Sequence, residues 1–176
     1  MTARTIHRTL LDTPIGTLVL EADDEALVHI ELPRADAERR RAVNPSAPRT
    51  REGASNDTGP VHGPLADAVA QLGEYFAGRR RRFELPLELS GTDFQCQVWG
   101  SLAEIPYGST ISYAELAAMV GRPTAFRAVG QANGANPLPI VLPCHRVVAS
   151  GGRIGGYGGG LDMKRRLLAL EALSGL

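Results

Sequence analysis

Residues 136–148 read NPLPIVLPCHRVV, and the prolines in that run constrain the chain most tightly. Pro137, Pro139 and Pro143 each fix one backbone dihedral and remove one donor. They pin the backbone on either side of an apolar stretch. Cys144 and His145 follow the last proline directly. A Cys–His pair is the material of an activated thiolate, because imidazole can take the thiol proton. Neighbours on an extended strand point to opposite faces. Communication between these two side chains then needs a bend at Pro143 or a water that passes the proton, and the water route is the expectation. A lone cysteine is also commonly a buried small hydrophobe. Both readings stand for Cys144 taken alone, whereas Cys96, within FQCQVW, reads as the hydrophobe.

The 176 residues are 43% hydrophobic and 22% charged, which excludes wholesale disorder. The 19 basic and 19 acidic residues cancel. Binding to nucleic acid would have to come from a local surface and not from net charge. No run approaches the ~18 apolar residues of a transmembrane helix, and the first twenty residues lack the pattern of a secretory signal. Two cysteines without a disulfide framework suggest a reduced, cytoplasmic chain. The histidines and cysteines show no ligand spacing, so no metal is expected.

Residues 4–32 alternate apolar and polar positions between turn signals at Thr13–Gly16 and Asp23–Glu25, the pattern of a three-stranded meander. Residues 33–62 lose all periodicity and read as a long, largely mobile surface loop, in which Arg39–Arg41 could touch phosphate but reads first as a solvated face. Leu65, Val69, Leu72 and Phe76 have helical spacing up to Gly78. The Arg79–Arg82 run then suits a helix C-terminus, with direct contact to DNA as the alternative, and FELPLEL reads as an extended connector. The expected fold class is α/β (α+β). A small N-terminal antiparallel-sheet domain spans 1–90, and a C-terminal winged-helix-like helix-turn-helix domain spans 91–176.

In the second half Thr92 or Asp93 caps a helix lined by Phe94, Val98 and Leu102. Ser112 and Glu115 form a capping box for another, with Leu116, Met119 and Val120 as its core face. After Gly121, Thr124 is expected to cap a further helix from Ala125 to about Asn133, which completes a helix-turn-helix. That helix is built of small residues, among them Ala128 and Gly130, with Arg127 as its one long cation. Tight helix packing explains such bareness, and so does close approach to a minor groove or phosphate. The glycines at 151–160 lack a phosphate-loop ending. They could close over a flat ligand with Tyr157 as a stacking surface, or form a hairpin tip. In the last helix, Asp162 to Leu173, Glu171 flanks the stripe of Met163, Leu167 and Leu170. It is either a surface residue or a buried carboxylate needing a partner such as His or Arg. If that partner is His145, a Cys–His–Glu relay results.

PCHRVV, together with SYAELA, RAVGQANGANP and GGYGGGL, resembles the O6-alkylguanine-DNA alkyltransferases, also called methylated-DNA–protein-cysteine methyltransferases. The resemblance runs from about Thr92 to Glu171 and extends weakly to TPIGTL. It implies irreversible transfer of an alkyl group from O6-alkylguanine, flipped out of duplex DNA, and from O4-alkylthymine, to Cys144. It implies that His145, oriented by Glu171, deprotonates the thiol through water, and that Asn136 braces the helix-turn-helix against the reactive segment. Tyr113 would serve the leaving base and crowd a phosphate. Arg127 would fill the vacated stack, with Ser112, Ala128 and Gly130 on the same minor-groove surface. Tyr157 would line the pocket, the carbonyls of Cys144 and Val147 would accept from the guanine amino group, and the Gly158 N–H would face O6. It implies no cofactor and no membrane, and a monomer on DNA with cooperativity left open. Relatives can carry a hydroxyl residue where this chain has Gly158, and a small one where it has Phe126, which either turns into the core or widens the wedge. The alternatives are a non-catalytic lesion-binding protein of the same fold, and a Cys–His hydrolase or redox protein.

Overall fold

The computed structural model describes residues 5–33 and 61–174. Most of the 33–62 stretch, including Arg39–Arg41, lies outside them. Strands β1 (His7–Thr13), β2 (Gly16–Ala22) and β3 (Leu27–Glu31) form an antiparallel sheet in the order β1-β2-β3. Thr13 pairs with Gly16 across a two-residue turn, and that pairing sets the register. Leu18, Leu20 and Ala22 alternate into the core, the period expected of a strand with one buried face. Helix α1 (Gly63–Phe76) covers this sheet and buries Leu65, Ala68, Leu72 and Tyr75. Residues 83–89 are extended as expected, with one bridge between Leu27 and Leu87.

Helix α2 (Asp93–Leu102) is capped by Thr92, whose box partner is Gln95. Helix α3 (Tyr113–Met119) begins with the Ser112–Glu115 box. Gly121, at φ +69°, lets the chain leave α3 with backbone bonds back to Ala117 and Ala118. Helix α4 (Phe126–Gly134) completes the helix-turn-helix, and α5 (Leu161–Leu173) ends the described chain. Strands β4 (Ile111–Ser112) and β5 (Val147–Val148) pair in parallel.

Three expectations need correction. Thr124 does not cap α4: Ala125 holds that position, and no side chain caps it. Met119 is 43% exposed because α3 turns Ala117 inward in its place. The segment after Pro143 is not extended. Pro143 at φ −79°, ψ 66° bends the chain into a 3-10 turn over Cys144–Arg146. No helix among the described residues is long and apolar enough to cross a membrane.

Candidate active site

The proline-rich segment is seated by the N-terminal sheet. The Ile30 N–H of β3 donates to the Pro137 carbonyl at 2.9 Å. Beyond it the chain doubles back, and Leu142 N–H donates to Leu138 O at 2.8 Å. Asn136 closes this loop at both ends: its Nδ2 donates to Leu142 O at 2.7 Å and its Oδ1 accepts from Leu138 N–H at 3.0 Å. Ile140 lies inside the loop at φ +76°, fully buried, a conformation that β-branched residues rarely adopt. The loop delivers Cys144 into the 3-10 turn, 5% exposed, with Asn133 Nδ2 donating to its carbonyl at 3.4 Å.

His145 is fully buried, and its Nε2 lies 2.7 Å from Glu171 Oε1. Glu171 is 1% exposed, so the surface reading fails for it. Its Oε1 also accepts from the Tyr75 hydroxyl at 2.8 Å and from an Arg146 NH2 at 3.0 Å. Its Oε2 accepts from Arg146 Nε at 2.9 Å and from Gly108 N–H at 3.0 Å. Burial alone would raise the Glu171 carboxyl, but hydrogen bonds and charge from His145 and Arg146 outweigh it and hold it at about 2. An ionised Glu171 fixes the proton of a neutral His145 on Nε2. Burial lowers the His145 pKa, against the pull of Glu171, so the ring is neutral at pH 7. Its Nδ1 is then a free lone pair, buried and without a protein partner.

Four more buried polar atoms among the described residues lack partners, Arg8 Nε and the Tyr107 hydroxyl elsewhere and Asn133 Oδ1 and the Tyr157 hydroxyl near Cys144. Burial raises the Tyr157 pKa, and the charge of nearby Cys144 raises it further. Buried polar groups are normally paired. Three such atoms around one cysteine mark a place where a polar ligand can sit. Burial pushes the Cys144 thiol up, and Asn136 and the Lys164 ammonium oppose it. The thiol therefore needs a base to ionise at neutral pH.

The β4–β5 pairing sets Tyr113, the first residue of α3, at the edge of this place. Its ring lies between Gly130 of α4 and Gly155. A Cβ added at Gly130 would meet it at 3.7 Å, and one at Gly155 at 3.1 Å. Burial raises the Tyr113 pKa, as does the Cys144 charge. Ser112 stands in β4 opposite Val148, and its hydroxyl caps α3. Arg127 and Ala128 are exposed on α4, and Gly158 is exposed with open space where a side chain would stand.

Cys144, His145, Glu171, Asn136, Tyr113 and Tyr157 thus come together, while Arg127 and Ala128 form an outer surface. Five participants were not anticipated: Tyr75, Gly108, Asn133, Arg146 and Lys164. Lys164 is the only lysine in the chain and is fully buried. Its Nζ donates to Val147 O at 2.6 Å and to the carbonyls of Gly155 and Gly156 at 3.4 Å each. It ties the glycine segment to β5. The one available signal was its uniqueness among eighteen arginines. Arg146 was visible too, since a buried carboxylate needs more than one neutral imidazole. The four-arginine run is occupied in part by structure. Arg80 pairs with Glu74 at 2.6 Å, and Arg81 donates to Ser174 O at 2.6 Å.

Two family profiles match the chain. One is described as the ribonuclease-like domain of 6-O-methylguanine DNA methyltransferase and covers residues 6–89. The other is described as its DNA binding domain and covers residues 93–173. The methylated-DNA–protein-cysteine methyltransferase of Mycolicibacterium paratuberculosis is 46% identical over 94% of this chain and 91% of its own length. The crystal structure of the Mycobacterium tuberculosis O6-methylguanine methyltransferase is similar, with a TM-score of 0.78 at 41% identity, over 97% of this chain and 94% of that one. The Mycobacterium tuberculosis OGT solved in complex with DNA is similar at a TM-score of 0.76 and 40% identity, over 96% and 94%. A chain matched along nearly its whole length in sequence, architecture and profile belongs to the 6-O-methylguanine DNA methyltransferase family, the alkyltransferases of DNA repair.

Proposed function

We propose that this chain binds duplex DNA carrying O6-alkylguanine, or O4-alkylthymine, and moves the alkyl group once and irreversibly to Cys144. The observation that carries the reading is the free, buried His145 Nδ1 on the residue that follows the buried Cys144, with its tautomer held by an ionised Glu171. His145 takes the Cys144 proton through a water. The sulfur attacks the alkyl carbon as the bond from that carbon to O6 breaks. The electron pair leaves with the guanine ring, and Tyr113 supplies a proton or hydrogen bond to it. The step is redox-neutral and yields a thioether, a poor leaving group, so the cysteine is not regenerated. Asn136 holds the segment that presents Cys144.

The base is flipped out of the minor groove to reach a thiol this deeply buried. Arg127 takes its place in the stack, with Ser112, Ala128 and Gly130 on the same surface. Tyr157 lines the pocket, the carbonyls of Cys144 and Val147 accept from the guanine amino group, and the Gly158 N–H faces O6. Those two carbonyls already accept from Asn133 and Lys164, and each has a second lone pair to offer. A division near residue 90, between a supporting unit and a reacting one, belongs to the same reading.

The test is intact-protein and peptide mass spectrometry after mixing with a duplex that contains one O6-methylguanine, beside a Cys144→Ser control. Gain of one methyl group on Cys144, with guanine restored in the DNA, is the expected result. Binding without transfer would make the protein a lesion binder, and neither binding nor transfer would overturn the reading.

A further inference from the structure

Phe126 opens α4 and is 49% exposed. The expectation left it a choice between the core and the surface, and it lies at the surface. A single exposed apolar side chain needs no explanation, so its neighbours decide what it means. The buried face of α4 is Val129, Ala132 and Asn133. Phe126 lies on the flank of that face, at the open first turn of the helix, next to exposed Arg127 and Ala128, and Met119 is 43% exposed at the end of α3. Gly130 stands four residues on from Phe126, one turn along the same stripe. From that stripe a side chain at Gly130 would point to the Tyr113 ring. The other side of Tyr113 lies against Gly155, at the edge of the Cys144 site. Phe126, Gly130 and Tyr113 therefore form one line that runs from the tip of α4 to the reactive cysteine.

The charged residues nearest to Phe126 along the chain, Arg122 and Arg127, are both basic. Arg127 follows Phe126, the first turn of α4 holds no acidic residue, and Arg122 stands in the preceding turn with its guanidinium 5.1 Å from the Phe94 ring. An aromatic ring set among arginines on a bare helix suits a stacked, anionic polymer. Apolar side chains enter the minor groove and part base steps, and a ring stacks on any base because every base has a π-face.

We propose that Phe126 is a second wedge: its ring enters the minor groove beside Arg127 and stacks on the base step that borders the position of the extruded nucleotide. The proposal rests on the function argued above. Arg127 fills the vacated place, and Phe126 holds the neighbouring step apart. Two wedges on one turn keep the strand open while the base is in the site.

The test uses duplexes with one O6-methylguanine and 2-aminopurine placed in turn at each flanking position. Binding is measured in the Cys144→Ser chain, with and without Phe126→Ala, Phe126→Leu or Phe126→Tyr. The alanine variant is expected to lose about tenfold in affinity, the effect of removing one base–aromatic stack, together with the fluorescence change at one flanking position. Tyrosine restores both, and leucine restores affinity only in part because it is apolar but not planar. The salt dependence of binding keeps its slope, since no phosphate contact is removed. With Cys144 intact, transfer from the duplex falls in Phe126→Ala relative to transfer from the free O6-methylguanine base. Equal affinity and equal fluorescence in all four chains would overturn the wedge while leaving the alkyl transfer in place. A chain with native Phe126 and Cys144 that takes no methyl group would instead overturn the function, and the wedge with it. The tyrosine variant separates stacking from any loss of folding in the alanine one.

Discussion

Glu171 accepts five hydrogen bonds, from Tyr75, His145, Arg146 twice and Gly108. A carboxylate offers roughly four acceptor positions, so it has no capacity to spare. Glu171→Gln would place an amide N–H2 against donors and leave Arg146 without its counter-charge. The expected loss is about 3–5 kcal/mol of stability, read by thermal melting, with slower single-turnover transfer because the His145 tautomer is no longer fixed. The wild-type pH dependence has a definite sign. The Glu171 pKa is depressed on folding to about 2 from an ordinary 4.5, so its contribution is complete above the unfolded value and is lost as pH falls toward 2. The His145 pKa is also depressed, from 6.5, so the unfolded chain takes up that proton first. Melting temperature should therefore begin to fall below about pH 6.5 and fall more steeply below about 4.5; a flat acid limb would contradict the charge assignments. Lys164 gives a second test at this scale. Lys164→Met removes the donor to three carbonyls and the positive charge that opposes the raised Cys144 pKa. Transfer should slow, and its rise with pH should move to higher pH. An unmoved profile would reduce Lys164 to a packing role. The His145–Glu171 pairing was legible because a carboxylate flanking an apolar stripe must find a partner. Tyr75 was not, because helical spacing pointed to Phe76 and says nothing of where a hydroxyl will be needed.

Among the elements, those with chemical punctuation were legible. Thr92 and Ser112 start their helices through side-chain caps, and both appear in the sequence as hydroxyl residues three places before Gln95 and Glu115. Helix α4 starts without such a cap, so Thr124, the nearest hydroxyl, misled. The β4–β5 pair has two residues per strand, too few to show any period. The turn at Cys144 follows from packing around Pro143, which no local propensity reports. Yet β4–β5 and this turn are what carry Tyr113 to Cys144. The sandwich of Tyr113 between two glycines gives a paired prediction. Gly155→Ala sets a methyl 3.1 Å from the Tyr113 ring and hydroxyl, so the ring must shift toward the room left at Gly130. Transfer should fall several-fold, with little change in melting. Gly130→Ala meets the ring at an ordinary 3.7 Å and gains about 1 kcal/mol of helix propensity. It should melt higher, and weaken DNA binding if that face enters a groove. Equal transfer in both variants would separate Tyr113 from the reaction.

At the scale of the molecule, the N-terminal sheet and α1 are part of the site's support. Ile30 fixes Pro137, Tyr75 reaches Glu171, and Leu27 holds the connector through bonds to Pro86 and Glu88. The separate patterns of sheet and helices were readable, but the contacts between them were not, because each is a single bond between residues far apart in sequence. This connectedness has a consequence for the alkylated product. Cys144 is 5% exposed, in a turn fixed by Pro143 and Asn133, and Ile140 before it is held in a strained conformation. A methyl group on sulfur overfills such a site and should cost about 1–3 kcal/mol. The turn can yield only by moving the segment that bonds to β3 on one side and the Asn133 end of α4 on the other. The alkylated protein is expected to melt lower than the free protein by on the order of 5 °C. Proteolysis should find the same difference, first in the helix-turn-helix and the glycine segment that Lys164 secures. Identical melting of the two forms would mean that the site accepts the methyl group without strain, and that the reacted chain persists as a folded protein.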